Sequence, residues 1–247
     1  MALDIAFWKG RTHDLGRMTL PDLVKVYFTY PTVLTYIALG LVAGGLGLWL
    51  AESLWPLALT ALVAALVYPL VEYLLHRFVL HSTFLYKNPR TAALWKRIHY
   101  DHHQNPHDLS VLFGALHTTL PVVVLITLPI GLAIGGLPAA LFGFAAGMAL
   151  ISIYEFCHCM QHLNHMPKSA YLKRIKRLHL AHHFHNETGN FGITSFFLDR
   201  WLGTLYERAK DKPKSPTVNN LGYRGAEKQR YPWVAELSRE PDAERRG

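Results

Sequence analysis

Four apolar runs in two close pairs constrain this chain more than any other feature. Residues 32–50 carry no charge and are long enough to cross a bilayer. A second run covers 57–75, with Glu72 as its only acid. A third covers 111–134, interrupted by Pro121 and Pro129, and a fourth covers 139–160. The turns within the pairs, 51–56 and 135–138, contain no Lys or Arg. All 25 basic residues lie before the first run, between residues 76 and 110, or beyond residue 160. The positive-inside rule then puts both termini and the 76–110 loop in the cytoplasm. The expected fold is all-α and integral to the membrane, with four transmembrane helices in two hairpins and a cytoplasmic helical cap. The formal charge of +8 would suit a nucleic-acid binder. Its placement beside the apolar runs reads instead as membrane-orienting charge, so no nucleic-acid partner is expected.

Three segments follow from this pattern: a cytoplasmic or interfacial stretch at 1–30, a membrane domain at 31–208, and a polar tail at 209–247, expected to be loosely ordered. Thr19-Leu20-Pro21-Asp22 reads as a helix start, with Thr19 as N-cap and Asp22 at N3. Residues 1–20 carry mixed charge and lack the apolar core of a signal peptide. Lys168–Arg177 reads as a basic amphipathic helix at headgroup level. Cys157 and Cys159 point to nearly opposite sides of a helix and read as small buried residues. Two cysteines make no disulfide framework, which fits a reducing compartment.

The polar chemistry is concentrated in histidine. His179, His182 and His183 stand at i, i+3 and i+4, within an arc of about 100° on a helix. His99, His102 and His103 repeat that spacing. His158 and His162 are an i, i+4 pair, and His76 and His81 form an HxxxxH. On a regular helix the last pair would lie about 140° apart. Either the helix ends or bulges there, or the two rings serve different metals. The expected topology puts all four clusters on the cytoplasmic side.

Ten imidazoles exceed the needs of one ion. Two ions with about five nitrogens each, leaving a position open, fit the count. Closed structural zinc sites are usually four-coordinate and rich in Cys, unlike this set. A metal transporter would need ligands at the bilayer midplane, where only His117 lies within a run. A lone helical His is more often packed or hydrogen-bonded than a ligand. An open two-metal site beside a membrane points to O2 chemistry on a lipid, which needs a redox-active metal such as iron.

HxxxxH, HxxHH, HxxxH and HxxHH, in this order around two hairpins, resemble the fatty acid hydroxylase/sterol desaturase superfamily across residues 72–206. His76–His81, His182-His183-Phe184 and Asn190–Thr194 are most similar to its fatty acid 2-hydroxylase branch, and Asp199–Thr204 resembles the superfamily's closing segment. The resemblance implies two iron ions held by His76, His81, His99, His102, His103, His158, His162, His179, His182 and His183. Purified protein can hold zinc in their place. It further implies O2 as co-substrate, a membrane lipid substrate and insertion of oxygen into a C–H bond, most simply of a fatty-acyl chain. The cytochrome b5 domain often fused to eukaryotic members has no counterpart here. A separate ferredoxin, cytochrome or reductase is therefore expected to supply electrons.

Glu155, one helical turn before His158, and Asp101, inside the second cluster, are candidates to receive a hydrogen bond from a ligand ring. His185 is a candidate for the metal surroundings or the substrate side. Asn190, Gly192 and Thr194 are candidates to line the approach of the lipid. The rival readings are a desaturase or a sterol or carotenoid oxidase with the same metals, and a non-enzymatic metal-binding membrane protein.

Overall fold

A computed structural model describes residues 13–238, whose regular secondary structure is helical, with no strand longer than an isolated bridge. The start of the expected N-terminal segment, residues 1–12, and the end of the expected tail, residues 239–247, lie outside the described residues. Helix α1 (Leu20–Tyr27) begins at Thr19. The Asp22 amide donates to Thr19 Oγ1 at 3.4 Å, and the Thr19 amide donates back to the Asp22 carboxylate at 3.0 Å. This reciprocal cap satisfies donors that the first turn would leave orphaned.

Three helical stretches are long and apolar enough to cross a membrane: Pro31–Leu50, Trp55–Leu80 and Leu109–His162. The first is α2 (Pro31–Leu50). The second is α3 (Trp55–Leu75), running on into a π-helical turn at His76–Leu80. Three short helices follow it: α4 (Phe84–Lys87), α5 (Pro89–Trp95) and, after a second π-helical turn at Lys96–Tyr100, α6 (Asp101–Gln104). The third stretch comprises α7 (Leu109–Leu112) and α8 (Leu116–His162). Leu41, Val42, Leu66, Leu125 and Ile153 are exposed on these helices. Large apolar side chains turned outward along long helices are what a lipid solvent demands.

The 47-residue α8 would be about 70 Å long if straight. It is not straight, because Gly135 and Gly136 leave helical geometry, Gly136 with φ +68°. The chain folds back there. A Cβ placed on Gly131 would lie 2.3 Å from the Ala140 Cα. One on Gly143 would come within 3.3 Å of the Thr127 carbonyl, and one on Gly147 within 2.5 Å of Val123. Each pair sums to 270 or 271 in residue number, the signature of two antiparallel half-helices in close contact. Lacking a hydrophobic drive between helices in lipid, such contacts depend on small residues. α2 packs on the second half of α8 in the same manner, with Gly40, Gly44 and Gly47 against Met148, Ala145 and Phe142.

Gly131→Leu should therefore prevent hairpin closure, at a cost of about 3 kcal/mol or more. Gly45→Ala, where an added methyl meets nothing within 4 Å, should be neutral. Thermal unfolding of the two purified variants separates these outcomes.

The chain beyond α8 forms α9 (Ala170–Phe184) and the short α10 (Phe197–Trp201). The segment expected to be a loose tail is packed instead, as far as residue 238. Leu221, Tyr223 and Val234 are buried against Leu85, Tyr86, Ala92, Trp95 and Tyr100. A polar composition disguised this, because a few aromatic and aliphatic residues were enough to cover the outer side of α4 and α5. In helix α9 three of the basic residues expected at headgroup level are engaged within the protein. Arg174 and Arg177 pair with Glu207 at 2.5 and 2.9 Å, whereas Lys176 turns inward.

Candidate metal centre

The ten histidines converge in two groups of five. His76, His81, His99, His103 and His182 form one, and His102, His158, His162, His179 and His183 the other. Within each group the ring nitrogens lie within 4.8 Å of one another. Each HxxHH motif feeds both groups. His99 and His103, one turn apart, join the first while His102 joins the second. His179 and His183 join the second while His182 joins the first. The three rings of a motif share one helical arc, as expected, but adjacent residues diverge by about 100° and reach different centres. The groups abut, with the His103 and His183 rings stacked at 4.2 Å between centroids.

The HxxxxH spacing is accommodated by a bulge. In the π-helical turn, the His81 amide donates to the His76 carbonyl at 3.1 Å, an i→i+5 bond. That wider turn sets residues five apart on one side. His76 and His81 meet with Nε2 atoms 3.2 Å apart, and His81 and His99 at 2.8 Å. His162 and His179 meet the same way at 2.8 Å. Two facing neutral ring nitrogens can share one proton in an N–H···N hydrogen bond, or both turn lone pairs toward a common centre. Both can bind one ion about 2.0–2.1 Å from each, at roughly this separation.

Backbone carbonyls fix the ring orientation in the first group. Nδ1–H of His182 donates to Gly189 at 2.8 Å, that of His103 to Val218 at 3.0 Å, and that of His76 to Phe191. Each leaves an Nε2 lone pair facing inward. Nine buried ring nitrogens across the two groups have no hydrogen-bond partner among the described residues. Each such group costs about 1–3 kcal/mol if left unpaired. Burial, together with neighbouring imidazoles, holds His81, His99, His102, His179, His182 and His183 well below the ordinary imidazole value. Burial also pushes His103 down to about 3. The rings are thus neutral donors, and the nitrogen-only, thiolate-free set suits iron, zinc, copper or nickel.

Two openings reach these groups. An apolar cavity of about 400 Å³ runs between the long helices, lined by Val71, Leu75, Val122, Val123 and Ile151, and ends on His76, His99, His102, His158, His179 and His183. His117 is exposed on the first turn of α8 and also lines it. A second, polar cleft is lined by Arg77, His81, Glu187 and Thr188. His81 is the one histidine of the ten that is not fully buried.

The other candidates are placed differently from expectation. Glu155 receives the Gly114 amide at 2.9 Å, and its second oxygen has no partner among the described residues. It lines the apolar cavity without bonding a histidine. Asp101 pairs with Lys96 at 2.8 Å, since the outward side of its turn brings a lysine closer than any ring. The His185 ring contacts the Lys212 carbonyl at 2.7 Å, outside both groups. Asn190, Gly192 and Thr194 serve the wall. Asn190, with φ 57°, donates to the Leu178 and Tyr206 carbonyls. Gly192 donates to Asp199, and Thr194 to Glu72. Of that stretch, Ile193 lines the cavity. Cys159 is buried in the apolar core and Cys157 half-buried, both as free thiols.

Three supporting residues were not singled out from the sequence. Glu72 receives the Ile193 and Thr194 amides at 2.6 and 3.0 Å, tying the cavity wall to α3. An acid inside an apolar run was the available signal. Asp199 receives the Phe191 and Gly192 amides. Lys176 donates to the Met160, Gln161 and Leu163 carbonyls at 3.3, 2.8 and 2.5 Å. It caps the end of α8 beside His162, where a cation is favoured by the helix dipole. Lys176→Met should cost about 1–3 kcal/mol by leaving those carbonyls bare, read as a lowered midpoint in thermal unfolding.

The family model described as fatty acid hydroxylase matches residues 61–204. The ceramide very long chain fatty acid hydroxylase SCS7 of Saccharomyces cerevisiae is 32% identical over 149 residues, covering 58% of this chain and 36% of that protein. The dihydroceramide fatty acyl 2-hydroxylase FAH2 of Arabidopsis thaliana is 33% identical over 147 residues, covering 57% of each. The human fatty acid 2-hydroxylase is 28% identical, covering 58% of this chain and 38% of that protein. The chain thus spans between about a third and three-fifths of the length of these relatives. A solved structure of full-length Scs7p, in which only the hydroxylase domain is visible, superimposes with a TM-score of 0.62 at 28% identity. It covers 74% of this chain and 68% of that one.

Proposed function

Because the chain belongs to the fatty acid hydroxylase family, we propose that it is a membrane oxygenase that hydroxylates a C–H bond of a lipid, most simply of a fatty-acyl chain. The observation that carries this reading is the meeting of two five-histidine groups at the end of one apolar cavity between long apolar helices. The break at Gly135–Gly136 supports reading the three long stretches as four crossings in two pairs. The distribution of basic residues puts both termini and the histidine cap in the cytoplasm.

His76, His81, His99, His103 and His182 would hold one ion, and His102, His158, His162, His179 and His183 a second. Bound iron would supply the redox chemistry that activates O2, with the overall balance RH + O2 + 2e⁻ + 2H⁺ → ROH + H2O. The protein's own part is placement and exclusion. The cavity wall takes the acyl chain from the bilayer, presents one methylene to the histidine end and keeps bulk water out. Carbonyls of Gly189, Val218 and Phe191 hold three rings in one tautomer. An electron carrier would deliver the electrons, and the polar cleft at His81 is an approach to the first group.

Mass spectrometry of total lipids from aerated cells with and without the protein, co-expressed with a reductase and carrier, tests this. A protein-dependent lipid heavier by one oxygen is expected. A protein-dependent loss of two hydrogens would replace hydroxylation by desaturation.

A further inference from the structure

We propose that α10 is a lipid-contact site, its outer face lying in the headgroup layer of the cytoplasmic leaflet beside the end of α3. The inference rests on the long apolar helices crossing a membrane and is independent of the metal chemistry.

Two aromatic side chains, Phe197 and Trp201, are 70% and 73% exposed on a helix of five residues. They stand at i and i+4, so they share one face. Leu198 and Asp199 point the opposite way and are buried. This short helix is thus amphipathic with its large aromatic surface turned outward, the reverse of what water selects.

The level of α10 follows from what its inner side touches. Leu198 packs with Tyr73 and Phe191 in one buried cluster, and Tyr73 stands two residues before the end of α3. The loop leading into α10 is tied to the same turn, because Glu72 receives the Ile193 and Thr194 amides. The outer face of α3 remains apolar up to that level, with Leu70 and Leu74 exposed. Phe197 and Trp201 therefore continue the apolar surface of the span where hydrocarbon gives way to headgroups. Aromatic rings concentrate at that depth.

The charge on this face agrees. Arg200 flanks the two aromatics, about 60° round the helix from Phe197, is exposed and makes no ion pair among the described residues. Its stem can lie along apolar surface while its guanidinium reaches lipid phosphate. A docked protein and a second copy of this chain are the competing occupants. Neither follows from the position at the end of a span, and a lipid headgroup layer does.

The same loop joins this contact to the cavity. Ile193 lines the cavity wall and α10 begins four residues later. A seated α10 would hold the wall at the depth from which an acyl chain enters.

The test uses the full chain in phosphatidylcholine–phosphatidylglycerol vesicles. The emission of the wild-type protein minus that of Trp201→Phe isolates Trp201 from the other tryptophans. If Trp201 lies in the headgroup layer, acyl chains brominated near the ester end quench most of this difference emission, chains brominated near the methyl end quench less, and aqueous iodide little. Phe197→Trp in the Trp201→Phe background should report the same depth from a second position. Strong quenching by iodide with none by brominated lipid would overturn the proposal. So would protection from both quenchers, which would place a protein surface on α10.

Discussion

His102→Ala and His182→Ala should each abolish the lipid product while the protein still inserts and folds. The pair is chosen because the two residues belong to different groups of five. Each ring packs chiefly on other histidines of the centre, His102 on His158, His162 and His183, and His182 on His76, His81 and His103. His102 has no hydrogen-bond partner on either nitrogen among the described residues, and His182 has only the Gly189 carbonyl. Loss of a ring thus removes one donor from an ion and little else from the fold. Even a partner one step removed from a ligand typically costs 10–100-fold in metal affinity or activity, so a ligand itself should cost more. Metal content should fall in each variant, with membrane fractionation unchanged. Full activity in either variant would remove that group from the catalytic centre.

Asp199→Ala should be the most damaging change outside the histidines. Asp199 is fully buried and receives three hydrogen bonds, from the Phe191 amide at 2.8 Å, the Gly192 amide at 2.8 Å and Thr204 Oγ1 at 2.7 Å. Alanine would leave two buried amides unpaired, at about 1–3 kcal/mol each. A total loss of about 3–5 kcal/mol is expected, a large share of the stability of any domain. The effect reaches the site through one peptide, because the Phe191 carbonyl receives Nδ1–H of His76. Asp199→Asn keeps one acceptor oxygen and should fall between wild type and Asp199→Ala. Thermal unfolding and product yield measured on all three proteins check the order. Equal stability of Asp199→Ala and wild type would show that the bracket does not hold the loop.

Much of this architecture is legible in the sequence, and the exceptions have physical causes. The apolar runs at 32–50, 57–75, 111–134 and 139–160 correspond closely to α2, α3 and the two halves of α8. Length and hydropathy are properties of contiguous residues. The break at Gly135–Gly136 is equally local, since two glycines followed by Leu137 and Pro138 mark a turn. The histidine spacing identified the ten residues that meet.

The division of those residues between two groups was not legible. It depends on about 100° of rotation between His102 and His103, and between His182 and His183, whereas the bulge at His76–Leu80 was one of the alternatives that the HxxxxH spacing left open. The brackets made by Glu72, Asp199 and Lys176 were hidden for a related reason. Each joins segments distant in sequence, as Glu72 does with Thr194. The packing of residues 209–238 was hidden by composition, because a small buried set sits within a polar stretch.

The most direct test of the central claim is isotopic. Purified protein, with iron and an electron-carrier system, is given its lipid substrate under ¹⁸O2 in ordinary water, and the product is analysed by mass spectrometry. One ¹⁸O atom per product molecule is expected, with no label when ¹⁸O is supplied as water and no product from His102→Ala. A product whose oxygen comes from water, or one that has lost two hydrogens without gaining oxygen, would contradict that claim.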